Sequence, residues 1–85
     1  MNNVIMRKIV VTAEYQPLAS RQLIGSVTIS TPPGNQADVL FRGDDGSDVP
    51  WIPGQWSDFR GVDLATVFVK GTPGDVVIVT GGTWS

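Results

Sequence analysis

The sequence predicts an all-β fold, a small antiparallel β-sandwich or partly open barrel of six to seven strands. Three observations carry that expectation. Apolar residues recur with period two along most of the chain, the mark of half-buried strands. The residues carrying that period are mainly β-branched, as a pleated surface favours. Gly and Pro clusters bound the segments, and no stretch shows a helical stripe.

Taken in order, residues 1–8 (Met-Asn-Asn-Val-Ile-Met-Arg-Lys) stand apart as an N-terminal arm ahead of one domain at 9–85. No turn signal ties them back. They read as a frayed terminus or as an arm that adds a strand to a neighbouring subunit. Val4, Ile5, Met6 and Arg7 are the arm's candidate contacts. Ile9, Val11 and Ala13 then alternate with Lys8, Val10, Thr12 and Glu14 as a first strand. Residues 14–22 read as a linker. Val27 and Ile29 alternate with Ser26, Thr28 and Ser30 in a strand at 23–31, which Pro32-Pro33-Gly34-Asn35 ends. Val39 and Phe41 alternate with Asp38, Leu40 and Arg42, ahead of a polar loop, Gly43 to Asp48.

Pro53-Gly54 predicts a turn after Trp51-Ile52. Ala65, Val67 and Val69 predict a strand over 64–70. Thr72-Pro73-Gly74-Asp75 has the chemistry of a type II turn and is expected to join that strand to 75–80 as a hairpin. The run Val76-Val77-Ile78-Val79 would be an aggregation hazard on a bare edge, so it must lie centrally or be covered.

Composition narrows the chemistry. A chain of 85 residues buries little surface, and domains of this size add disulfides, a structural metal or partners. With no Cys and no His, disulfides and thiolate or imidazole metal sites are excluded, and no cofactor is expected. The same absence removes the usual base for Ser or Thr nucleophiles, and a domain this small rarely forms the cleft that carboxylate-pair hydrolysis needs, so no enzyme is expected. Eight acidic residues against six basic ones, with Arg7-Lys8 as the only adjacent basic pair, make nucleic acid an unexpected partner. No apolar run is long enough for a spanning helix, so no membrane partner is expected. The N-terminus does not read as a secretory signal, because its basic residues follow the apolar ones. Asp44, Asp45 and Asp48 could offer oxygen ligands to calcium, but their spacing departs from the EF-hand order, and a solvated loop is the expectation. Trp51, Trp56 and Trp84 remain, as interface anchors, core fillers or stacking platforms for sugar rings.

The order of several motifs adds a resemblance. Ser26-Val27-Thr28-Ile29-Ser30, Pro33-Gly34-Asn35, Val39-Leu40-Phe41-Arg42-Gly43, Ile52-Pro53-Gly54-Gln55, Val62-Asp63-Leu64 and Val69-Lys70-Gly71-Thr72-Pro73-Gly74-Asp75 follow one another along the chain. That order resembles small β-sandwich proteins encoded among the structural genes of tailed bacteriophages, over roughly residues 22–81. The resemblance implies a virion component made in the host cytoplasm, most simply a capsid decoration (cement) protein. Its partners would be the major capsid protein and further copies of itself, as a trimer. The alternative it implies is a carbohydrate- or receptor-binding module of a tail or fibre. The family pattern carries no catalytic residues.

Overall fold

The computed structural model describes residues 3–83, which form two four-stranded antiparallel sheets and one short 3-10 turn. β1 (Val4–Val10), β3 (Ile24–Ser30), β6 (Trp56–Asp63) and β8 (Val76–Thr83) make a long sheet in the order β1-β8-β3-β6. β2 (Gln16–Pro17), β4 (Val39–Arg42), β5 (Val49–Trp51) and β7 (Phe68–Lys70) make a short sheet in the order β2-β7-β4-β5. The two pack as an open sandwich, not a closed barrel. There are eight strands, more than expected, because β2, β5 and β7 are too short to show a period.

The alternation works as predicted on β3 and β4: Val27, Ile29, Val39 and Phe41 all point into the core. On β8, read as a continuous apolar run, Val77 and Val79 face the core. The apolar run at 76–79 lies centrally: β1 pairs with all of it, β3 pairs with Ile78 and Val79, and the Asn35 side chain bonds the Val76 backbone.

The predicted turns form, but one of them connects its strands differently from the expectation. Asp75 donates its amide to the Thr72 carbonyl at 3.0 Å, with Gly74 at φ +98° as a type II turn requires. It carries the chain from the short sheet to the long one, so β7 and β8 are not a hairpin. The buried Asp75 is the reason. Its carboxylate accepts the amides of Gln36 (2.9 Å) and Ala37 (3.1 Å), while Asn35 exchanges two side-chain bonds of 2.9 Å with the backbone of Val76. The β3–β4 connection is thereby clasped to the start of β8. Gly54 (φ +86°) likewise turns the chain between sheets, from β5 to β6.

Three further expectations about the chain's elements are corrected. The strand expected over 64–70 is a 3-10 turn, Leu64–Thr66, followed by β7. The Asp63 carboxylate accepts the Ala65 amide at 3.0 Å, an N-cap that drops Leu64 into the core. The first strand stops at Val10, because the Val11 and Thr12 carbonyls accept amides from the Gly71–Asp75 connection instead. The linker at 14–22 contains β2 and buries Leu18 and Ala19.

Residues 4–8 are not a separate arm: they are the first five residues of β1, paired from Val4↔Gly82 to Lys8↔Ile78. Glycines make this possible. Ile5 is 4% exposed and fills the space left by Gly25, where a Cβ would lie 3.2 Å from the Ile5 Cδ1 and 2.4 Å from the Gly82 carbonyl oxygen. A Cβ on Gly81 would lie 2.2 Å from the Ser26 carbonyl oxygen, so β3 and β8 could not approach as they do. The ladder closes with Thr83, whose amide donates to the Asn3 carbonyl and whose hydroxyl accepts the Asn3 amide, each at 2.8 Å.

Trp51 is core, not rim. It stacks on Phe41 (centroids 4.0 Å apart) and reaches Phe59 of the opposite sheet at 6.3 Å, tying the two layers together. Trp56 is 64% exposed. Trp51→Ala should therefore lower the unfolding free energy by about 3–5 kcal/mol. Trp56→Ala should change it by less than about 0.5 kcal/mol. Urea titrations at low protein concentration, followed by circular dichroism, check both values.

Candidate interaction face

The two sheets end differently at their edges. The short sheet is bordered by β2, two residues with Pro17, and by β5, three residues with Pro50. Brevity and proline both discourage strand addition. The long sheet is bordered by β1 and β6, of seven and eight residues, and neither contains proline.

Parity shows which main-chain groups face outward. The Thr83 amide donates to the Asn3 carbonyl, and the Val11 amide to the Asp75 carbonyl, so odd residues of β1 bond to β8. In an antiparallel ladder the alternate residues then point their groups away. Val4, Met6, Lys8 and Val10 thus face off the edge, and their side chains share the outer face of the sheet. Val4, Met6 and Val10 are 75%, 76% and 51% exposed. At the other edge, the Thr31 amide donates to the Gln55 carbonyl at 2.8 Å, continuing the Ile29↔Ser57 and Val27↔Phe59 register. Trp56, Asp58 and Arg60 therefore point off that edge, again with outer-face side chains. A β-bulge with Gly61 at φ +61° ends the regular run there.

Between the two edges the face is hydroxyl-rich. Thr28 pairs with Thr80 and Asp58, and donates its hydroxyl to the Asp58 carboxylate. Thr28, Asp58, Arg60 and Thr80 help line a shallow depression of about 230 Å³. On the opposite side of β6, the sheets part around an apolar cleft of about 730 Å³ flanked by Phe59, Val62, Val67 and Phe68, with Asp44 its only charged lining residue.

Of the expected contact residues, Val4 and Met6 lie along the β1 edge of this face and Trp56 along its β6 edge. Arg7 is exposed at the same edge on the inner parity. Ile5 and Trp51 are corrected to core positions, for the packing reasons given above. Trp84 lies outside the described residues. Lys8, Val10, Asp58 and Arg60 were not singled out beforehand, although the alternation of Trp56, Asp58 and Arg60 with Ser57 and Phe59 was there to be read.

The acidic loop is occupied with its own neighbours. Asp48 accepts hydrogen bonds from the Tyr15 hydroxyl and, at 2.9 Å, from Arg42 Nη2. Asp45 accepts the Ser47 amide at 2.8 Å. The Arg42 guanidinium lies 4.0 Å and the Lys70 ammonium 4.7 Å from the Tyr15 ring centroid. Among the described residues no three acidic side chains converge on a common point.

The fold and this face together define a small all-β sandwich with one protected sheet and one that offers its edges and outer surface. The chain matches no protein-family model, no curated protein and no solved structure.

The acidic-loop cluster gives a pH dependence with a definite sign. The hydrogen bonds from Tyr15 and then Arg42 hold the Asp48 carboxyl below its ordinary range, so its contribution is complete above about pH 4 and lost as pH falls through the depressed value. Withdrawal from solvent, then the bond to Asp48, push the Tyr15 hydroxyl up, so that contribution is complete below about pH 10 and lost as pH rises through the raised value. The difference in melting temperature between wild type and Asp48→Asn should shrink as pH falls from about 6 to below 3. Thermal scans across that range measure it.

Proposed function

We propose that this protein is an adhesive structural component of a virion shell, a capsid decoration (cement) protein that binds other protein subunits and catalyses no reaction. One observation carries the adhesive part: the outer face of the long sheet exposes Val4, Met6, Val10 and Trp56 beside two unprotected strand edges. Val4, Met6 and Val10 form one exposed apolar row along β1, the kind of grouping that marks a docking surface, and aromatic and Met side chains are typical interface anchors. The phage setting, with the major capsid protein as target, rests on the ordered turn motifs between residues 22 and 81. A small domain without disulfides also benefits from stability supplied by its neighbours.

A second reading is favoured by one feature of the same face. Trp56 stands on β6 beside Asp58 and Arg60, next to the hydroxyl-rich depression, a grouping able to stack on a sugar ring and hydrogen-bond its hydroxyls. That is the tail or fibre receptor-binding alternative.

Electron microscopy and co-sedimentation separate the two. The cement reading expects regular density on purified shells after addition of the protein. It also expects Met6→Asp to weaken co-sedimentation at least about tenfold, or about 1.4 kcal/mol. Bare shells with the protein left in the supernatant would sink it. A glycan array bound by wild type and not by Trp56→Ala would establish the sugar-binding reading in its place.

A further inference from the structure

We infer that copies of this chain join head to tail, with β1 of one protomer adding to β6 of the next so that the long sheet continues across the contact. The inference goes beyond shell binding and does not depend on it.

Strand polarity permits the junction. The long sheet is antiparallel throughout and has four strands, so β1 and β6 run in opposite directions. A β1 placed beside the β6 of another copy therefore continues the antiparallel pattern. Parity permits it as well. The residues whose main-chain groups face off the β1 edge are Val4, Met6, Lys8 and Val10. Those facing off the β6 edge are Trp56, Asp58 and Arg60. Both sets carry their side chains on the outer face, so the joined sheets keep one common face.

Charge selects the register. Lys8 set against Asp58 of the next protomer places opposite charges directly across the ladder, a favourable cross-strand pair. The same register sets Val10 against Trp56, a β-branched residue against an aromatic one. It also sets Met6 against Arg60, whose aliphatic stem can cover the thioether. These three pairs would exchange about six main-chain hydrogen bonds. The pairing spans Met6–Val10 and Trp56–Arg60 and stops where the Gly61 bulge bends β6 away.

The homologous alternatives are worse. β1 contains no acidic residue, so a two-fold β1–β1 contact gathers both copies of Arg7 and Lys8 with nothing to neutralise them. A two-fold contact pairing all of 56–60 with itself sets Asp58 against Asp58. Among the described residues, Arg42–Asp48 is the recorded ion pair, so Lys8 is not committed to a carboxylate within its own chain. The short sheet, with Pro17 and Pro50 in its border strands, offers no competing edge. A contact between unlike edges repeats on every copy, and closing it into a ring leaves the long sheet with no free edge.

Sedimentation equilibrium and native mass spectrometry on the isolated chain test this without any capsid, so a failure here leaves the adhesive reading standing. Wild type should form an assembly of three or more copies. Lys8→Glu and Asp58→Lys should each weaken assembly at least tenfold. Combining both changes in one chain should restore it to within threefold of wild type. Lys8→Pro, which removes an amide pointing off the edge and no bond inside the sheet, should also block assembly while circular dichroism stays unchanged. A wild type that remains a single chain or a two-copy species up to millimolar concentration overturns the inference. So does assembly indifferent to the single reversals, or a double reversal that fails to restore it.

Discussion

The structure turns on the close approach of β3 and β8 where Gly25 and Gly81 lie without side chains. Any larger residue would hold the two backbones apart, since the nearest carbonyl oxygens would sit 2.4 and 2.2 Å from the added carbon. The gap left at Gly25 is filled by Ile5, which with Ile9 packs β1 against the core while its ladder pairs with β8. Without that fit the Val4–Met6 end of β1 would lose its anchor in the core. The outer-face positions of Val4 and Met6 depend on it. Two glycines in the middle of the sheet thus determine what its edge can offer.

The sheets divide their tasks in consequence. The short sheet is held by local devices: the Asp63 cap, the Tyr15–Asp48–Arg42 cluster and border strands too short and too proline-bearing to recruit another strand. The long sheet holds the longest strands and the least protected edges. The Asn35–Asp75 clasp and the Phe41–Trp51–Phe59 stack join the layers, so a load taken by one sheet passes to the other.

β3, β4, β8 and the turns were legible in the residues, because strand composition and turn chemistry are local. Val27 with Ile29, and Val39 with Phe41, announce their faces from spacing alone, and Gly54 and Gly74 announce left-handed turn positions. What could not be read is which strands those turns connect. A Pro-Gly turn has the same chemistry whether it closes a hairpin or crosses between layers, and here the choice is made by Asp75 bonding to residues almost forty positions earlier. β6 was missed because its outward residues are Trp56, Asp58 and Arg60 and its inward ones include Ser57, which blurs the apolar period. The first half of β1 was read as an arm because its partners in packing, Gly25 and Gly81, are remote glycines that carry no pattern. The interaction face was therefore half visible: Met6 and Trp56 stood out by type, whereas Lys8 and Asp58 matter only by position.

The bond between Asn3 and Thr83 has a mechanical corollary. The two ends of the described chain lie side by side at one corner, on neighbouring strands that run in opposite directions. Tension applied there would open the β1–β8 ladder one rung at a time, like a zipper, instead of shearing all of its rungs together. A molecule built this way resists force poorly through its ends and well through its flanks, where several hydrogen bonds must break at once.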